Sequence, residues 1–530
     1  MERPPFLWRD TIDMLHPKPH RRNLSLSVLE QDIDEKHGEL NVERSPITRA
    51  ATPQAVKAFA ISAWSVRPTP RSMTSLLRHV FTGLLPSFTL PKTHGDTKEK
   101  LLPTAHLDGM RGLAAFCVFI CHMSYAVFVV TYGFGQGEPG ANPYLFQLPI
   151  IRLFYSGPPM VAIFFVISGY ALSYKPLKQM RSRQFEGLMH TLSSSVFRRG
   201  LRLYVPCFVS TFLVLIAVRI GLYEMTQSLY DDPNFIRNAR ESHRVRLDTL
   251  IEQLWDWGYK MFDFVHPWDW NVYGGSVDYD RHLWTIPTEF RASMVLFLTH
   301  FAIARLRTPI RLAMLAGLIW WALHWDRWEV ILFWSGCILA EIDLIKLSRQ
   351  QSLLHAKPPS PSPSTQTPFW HYFWILNFFL GCYLASYPDD AGDSTPGFRT
   401  LTLYIPAYYT EQRRFWQSIG ATHIVLSSNN SAWLQSWFTT PLAQYLGNIS
   451  YSLYLMHGPV IHTFGYLAMA WWWGWTGMED GWRYEAGFFA AGCCIVGAVV
   501  WAADVFWRTV DAPSVRFARW VEGRCIVGLT

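Results

Sequence analysis

The chain has 530 residues, 50% of them hydrophobic and 16% charged, whereas an ordinary soluble enzyme carries about 25% charged residues. The net charge of +7 sits on basic residues clustered beside apolar runs, the pattern that orients a chain in a membrane, and this argues against a nucleic-acid partner. The 8 Cys form no Cys-x-x-Cys pair and fall mostly inside apolar runs, so neither a disulfide framework nor a metal site is expected.

Residues 1–100 are rich in Pro, Ser, Arg and Glu and read as a polar cytosolic tail, largely disordered. Met1–Asp10 lacks the apolar core of a cleavable signal peptide. The mixed stretch Leu76–Leu90 has the composition of a segment lying on a membrane surface. The first long apolar run, Leu107–Val130, then serves as its own targeting signal. From there hydropathy places about ten membrane-spanning helices, at 107–130, 158–177, 200–221, 284–304, 311–325, 328–346, 369–386, 417–435, 443–470 and 487–508, each near the length that crosses a core about 30 Å thick. The eighth, with Thr422, His423, Ser427, Ser428, Asn429 and Asn430, is polar enough to be a short or re-entrant segment buried in protein. Trp320, Trp321, Trp325, Trp328 and Trp471–Trp473 read as interfacial anchors.

Alternate loops carry the positive charge: Lys175, Lys178, Arg181 and Arg183 after the second span, Arg305, Arg307 and Arg311 after the fourth, Lys346, Arg349 and Lys357 after the sixth. Both termini are therefore expected in the cytosol. The opposite side receives two longer segments, 222–283 and 387–416, and Pro358–Pro368 reads as a linker. No internal repeat suggests transporter architecture.

Ionisable groups inside membrane helices are costly and usually functional. In the first span Asp108, Arg111 and His122 fall on one stripe. Eleven helical steps bring His122 back to within roughly 20° of Arg111, about 16 Å further along the axis. Arg111 suits phosphate recognition, His122 suits proton transfer at neutral pH, and Asp108 is expected to cap the helix or brace Arg111. The fourth span opens with His282-Leu-Trp284-Thr-Ile-Pro-Thr-Glu289. Glu289 is expected either to orient a catalytic His or to pair with Arg281 or Arg291, with Trp284 in support. Ser168-Gly169-Tyr170 reads as close helix packing. Arg198, Arg199 and Arg202, at the start of the third span, either enforce topology or bind an anionic cofactor. His457 lies at membrane depth before Pro459, whereas His300 and His462 have no supporting context. There is no P-loop, Gly-x-Ser-x-Gly elbow or His-Glu-x-x-His motif.

In order, Leu107-Asp-Gly-Met-Arg-Gly-Leu with His122, Phe164-Phe-Val-Ile-Ser-Gly-Tyr170, Arg198-Arg-Gly-Leu-Arg-Leu-Tyr-Val-Pro206, Leu283-Trp-Thr-Ile-Pro-Thr-Glu289 and Leu446-Gly-Asn-Ile-Ser-Tyr-Ser-Leu-Tyr-Leu-Met-His457 resemble the membrane acyltransferase 3 family. The resemblance runs from about 107 to 520, so 101–520 is taken as an all-α polytopic membrane domain and 521–530 as a C-terminal tail. It departs only conservatively, with Asp511-Ala-Pro513 where members commonly carry Glu-x-Pro. The resemblance implies transfer of an acyl group, usually acetyl, from acetyl-CoA or another acyl-CoA to a hydroxyl of a sugar, lipid or small metabolite. It implies that His122 and Glu289 are catalytic and that Arg111, helped by Arg199 and Arg202, binds coenzyme A. No metal is expected. The alternatives are a transporter or flippase with buried proton-relay residues, and a catalytically dead scaffold. The acceptor is not legible; its determinants are expected in 222–283 and 387–416.

Overall fold

The computed structural model describes residues 83–89, 101–136, 144–268, 277–356 and 368–526. The expectations for the 1–100 tail and the Pro358–Pro368 linker, and most of that for Leu76–Leu90, lie outside these residues. Residues 83–89 belong to a compact unit of their own and contain the short 3-10 turn Ser87–Thr89. The other described residues, from 101 onward, belong to a second unit.

Among the described residues there is no strand, and pairing is limited to the isolated bridges Tyr132–Asp390 and Val277–Asp280. Every expected span overlaps at least one helix, and the eighth and ninth each extend over two: α1 (Ala105–Tyr125), α2 (Gly157–Arg181) and α3 (Phe185–Arg219), then, after the short α4 (Glu224–Asp231) and α5 (Leu250–Phe264), α6 (Thr285–Ile303), α7 (Thr308–His324), α8 (Trp328–Ala356), α9 (Pro368–Ala385) and α10 (Gln412–Asn430). The series ends with α11 (Ala432–Phe438), α12 (Pro441–Val460), α13 (Tyr466–Thr476), α14 (Trp482–Phe506) and α15 (Ala512–Cys525). Single π turns, Ile461–Gly465 and Trp507–Asp511, join α12 to α13 and α14 to α15. They follow Pro459 and precede Pro513, where the missing N–H and ring bulk loosen the helical ladder. The last helix runs to Cys525, beyond the expected boundary at 520.

Three helical stretches are long and apolar enough to cross a membrane: Gly157–Arg181, Phe185–Arg219 and Trp482–Cys525. The larger expected count is not carried by that measure. α7 has 17 residues, and others are diluted by the polar groups that build the interior, such as Asp108, Arg111 and His122 in α1 and Glu289 and Arg291 in α6. Most of the polar eighth segment lies in the 19-residue helix α10, which is not one of those three stretches. Its polar face is satisfied laterally. His423 Nδ1 meets Asn377 Oδ1 at 2.9 Å, Asn377 donates to Ser427 Oγ, and Asn429 donates to Asp343 Oδ2 at 2.8 Å.

The tryptophans divide. Trp320, Trp321, Trp325 and Trp471 are exposed, as interfacial anchors would be, but Trp328 and Trp473 are buried. Arg414 lies 4.3 Å over the Trp328 ring, and Trp473 Nε1 donates to Tyr484 O; a buried aromatic with a polar partner is a packing residue, not an anchor.

One crossing positions the interior. α1 and α12 approach so closely that a Cβ on Gly112 would sit 2.2 Å from Gly447 N, and one on Gly447 2.6 Å from Asp108 O. Only glycine permits this approach, which runs α12 alongside α1 from Arg111 towards His122.

Candidate active site

The Arg111 end is a hydrogen-bonded arginine cluster. Arg111 donates through Nε to Ser450 Oγ (3.1 Å) and through Nη2 to Gly447 O (3.3 Å), with Asp108 Oδ1 at 3.4 Å. Asp108 thus braces Arg111. It is not the helix cap: that place belongs to Thr104, four residues earlier. Arg199 donates through Nε to Ser293 Oγ (3.0 Å) and through Nη2 to Glu289 Oε1 (2.7 Å). Arg202 and Arg111 both act electrostatically on Asp511, whose Oδ2 accepts from Ser452 Oγ at 3.3 Å. The arginines of α1 and α3 are thereby drawn to one end of the interior.

Glu289 is placed differently from its expected pairings. It accepts from Arg199 and from Ser168 Oγ (3.2 Å), while Arg291 pairs with Glu329 at 3.4 Å. Ser168 holds a carboxylate, and Gly169 provides the expected close approach, since a Cβ there would meet Phe333 O at 2.2 Å. Trp284 packs near Trp328 and under Arg414.

The carboxylate on His122 comes from the 222–283 segment. His122 Nδ1 lies 2.6 Å from Glu241 Oε1. The loop carrying Glu241 is fastened to the end of α1 by its own backbone: Arg237 N and Asn238 N donate to Ala126 O, Ala239 N donates to Tyr125 O, and Asn238 Nδ2 donates to Phe128 O. These bonds satisfy carbonyls left over at the helix C-terminus and hang Glu241 over the last turn of α1, where His122 projects.

Glu241 is a hub. Its Oε2 lies 2.9 Å from His282 Nε2 and 3.4 Å from His462 Nε2. Burial alone would raise its carboxyl, but the neighbouring His282 and His122 outweigh that and hold it well below the ordinary carboxylate range. His282 Nδ1 is held by Asp280 Oδ1 at 2.7 Å. His462 Nδ1 lies 3.1 Å from His243 Nδ1, and His243 Nε2 donates to Tyr223 O at 2.9 Å. Burial pushes His243 down to about 4.

His457 completes the cluster. Its ring lies 5.2 Å from that of His122 and 4.5 Å from that of His282. Its Nδ1 donates to Leu453 O at 3.2 Å, and its Nε2 is fully buried with no hydrogen-bond partner. Gly458 makes room, since a Cβ there would meet His282 Nδ1 at 2.7 Å. One ring nitrogen from each of His122, His282 and His457 lies within 4.8 Å of the others, a group able to hold a metal ion.

Of the residues gathered here, His122 and His457 were singled out from the sequence, His462 was set aside for want of context, and Glu241 and Asp280 were not considered. His282 stood inside a quoted motif without being singled out. His462 had one local signal, the π turn that Pro459 sets up, since π turns cluster at functional positions. Glu241 had none, because only long-range packing brings it to α1.

The cluster offers a half-buried imidazole with a carboxylate on Nδ1, an arrangement compatible with a general base. Residues 105–508 match the acyltransferase domain of the acyltransferase 3 family. The chain is 32% identical over 462 residues to O-acetyltransferase PaAT-1 of Phomopsis amygdali, covering 84% of this chain and 88% of that protein. It is 28% identical to acyltransferase R4 of a Phoma species (78% and 94% covered) and 28% identical to acyltransferase clz18 of Cochliobolus lunatus (77% and 94%). No solved structure matches it. The chain belongs to the acyltransferase 3 family and is an enzyme that transfers acyl groups.

Proposed function

We propose that this enzyme is a multi-pass membrane acyltransferase with both termini in the cytosol, moving an acyl group, acetyl in the first instance, from acyl-CoA to a hydroxyl of a small metabolite, lipid or sugar. Family membership supports acyl transfer in place of the transporter and scaffold readings. The name of the Phomopsis relative, an O-acetyltransferase, favours acetyl and an oxygen acceptor.

The observation that carries the mechanism is the 2.6 Å contact between His122 Nδ1 and Glu241 Oε1. With Nδ1–H committed to a carboxylate, the Nε2 lone pair of His122 is free to take the acceptor's hydroxyl proton, and Glu241 stabilises the imidazolium that results. The alkoxide oxygen attacks the thioester carbonyl, the C–S bond breaks, and the imidazolium returns the proton to the departing thiolate. Direct transfer needs no covalent enzyme intermediate.

Arg111, Arg199 and Arg202 supply cationic donors for the phosphates of coenzyme A at the other end of α1. The span of about 16 Å between Arg111 and His122 is left to the extended pantetheine arm. Glu289 holds the Arg199 guanidinium in place, a positioning role on the donor side. The acceptor hydroxyl enters beside the 222–283 segment that supplies Glu241.

The test is detergent-solubilised His122→Ala protein, monodisperse and assayed with labelled acetyl-CoA against an acceptor found by comparing acylated metabolites with and without the gene. A loss of about 100-fold or more in turnover is expected of a missing general base; near-normal turnover overturns the mechanism.

A further inference from the structure

We propose that His122, His282 and His457 form a binding site for a divalent transition-metal ion, with zinc the best match, and that the bound ion blocks acyl transfer by occupying His122 Nε2. The blocking half rests on His122 being the base. The site half stands on geometry alone, and it reverses the expectation of no metal drawn from the sequence.

Three observations carry it. The ligand nitrogens of the three residues lie within 4.8 Å of one another, contributed by α1, the turn Arg281–Trp284 before α6, and α12. One nitrogen of each ring, Nδ1, has an acceptor beside it: Glu241 for His122, Asp280 for His282 and Leu453 O for His457; His282 Nε2 also lies 2.9 Å from Glu241 Oε2, a contact that an ion would replace. A metal-ligating histidine characteristically donates its other nitrogen to a carboxylate or carbonyl, which fixes the tautomer and aims the ring. With Nδ1 so engaged, Nε2 is the nitrogen that each ring would offer to an ion. Finally, His457 Nε2 is fully buried without a partner, and a buried lone pair left unmatched is destabilising unless something occupies it.

The donor set selects the ion. Three imidazole nitrogens suit zinc and its d-block neighbours, not calcium or magnesium, which take oxygen shells. Tetrahedral zinc at about 2.0–2.1 Å from each nitrogen wants nitrogens about 3.4 Å apart, so the rings must close inward by roughly an ångström. Gly458, with no side chain against His282, leaves the turn free to follow. Once bound, the ion and the acceptor's proton compete for one lone pair, because His122 Nδ1 is already committed to Glu241.

The experiment uses full-length purified protein in which the exposed Cys493, Cys494 and Cys525 are replaced by Ser to remove competing thiols. After chelation it is titrated with zinc, bound metal is measured by elemental analysis, and cobalt is tested for the intense visible absorption of a four-coordinate site. One zinc per chain is expected, with a four-coordinate cobalt spectrum. Affinity should fall by about 100-fold in His457→Gln, which keeps the His122–Glu241 pair. Absence of stoichiometric zinc, or equal affinity in His457→Gln, overturns the site whatever the activity. If that variant does not fold, the cobalt spectrum of the parent decides alone: octahedral or absent absorption overturns the site. Acyl transfer by the parent should be inhibited by zinc and restored by chelation. Stoichiometric zinc with transfer undiminished or raised overturns the blocking role and the base role of His122 together, while the site stands. Undiminished transfer by His122→Ala, without any added metal, overturns the base role alone.

Discussion

At the Arg111 end of α1, cations are shared among serine hydroxyls, a backbone carbonyl and carboxylates contributed by the helices themselves: Ser450 and Gly447 from α12, Ser293 and Glu289 from α6. At the His122 end, five histidines surround Glu241 or lie against its partners, and that carboxylate arrives on a loop stitched to the last turn of the same helix. The first end is a rigid cradle of fixed positive charge and suits an anionic donor. The second is a set of imidazoles gathered on one carboxylate and suits a proton in transit. On the proposed mechanism one helix separates binding from proton chemistry along its length, and damage at the two ends should differ in kind.

The largest effect is expected from Glu241→Gln. It keeps the loop's backbone anchors but removes the charge that stabilises the His122 imidazolium, so kcat should fall about 100-fold with little change in KM for acyl-CoA. A rise in KM with kcat preserved would move Glu241 to the binding end. Arg111→Ala should do the reverse, raising KM for acyl-CoA about 10-fold or more with a smaller effect on kcat. Glu289→Gln should resemble Arg111→Ala and not Glu241→Gln, because its partner is Arg199; a kcat-only defect in steady-state kinetics would restore it to the catalytic group.

Gly458→Ala sharpens the boundary between the ends. A Cβ 2.7 Å from His282 Nδ1 pushes His282 and Asp280 aside, at a cost of about 1–3 kcal/mol of overpacking. The thermal midpoint should fall and kcat should drop by about 10-fold, with donor KM unmoved.

The smallest expected effect is on pH dependence. Glu241 is held below its ordinary value of 4.5, so its stabilising contribution is complete above that value and is lost only as pH falls through its lower folded value. Melting curves should therefore show no Glu241-dependent change from pH 8 to pH 5, and a difference between parent and Glu241→Gln that shrinks only in more acid solution. A difference that shrinks between pH 7 and 5 would contradict the ion-paired state of Glu241.

The same contrast explains what the sequence made legible. Helix positions followed from long apolar runs, and the Asp108, Arg111 and His122 stripe followed from helical periodicity, because both are local properties of one segment. The Arg199 and Glu289 positions were visible as charges inside apolar runs, but their mutual pairing was not, since it joins α3 to α6. Glu241 was hidden most completely. It sits in a loop whose composition is ordinary for solvated chain, and it becomes part of the site only because the carbonyls of Tyr125 and Ala126 accept from the loop backbone. Trp328 and Trp473 misled for the same reason, because burial of a tryptophan depends on the neighbouring helix and not on its own run.

The central claim is that His122 and Glu241 act as one unit, and a double-mutant cycle on acyl transfer tests it most directly. Turnover should be measured for His122→Ala, Glu241→Gln and the double variant, each verified as folded. The account predicts that Glu241→Gln costs about 100-fold in the parent and almost nothing once His122 is absent, since groups that act together are strongly non-additive. Losses that multiply in the double variant would show that the two residues act independently and would contradict it.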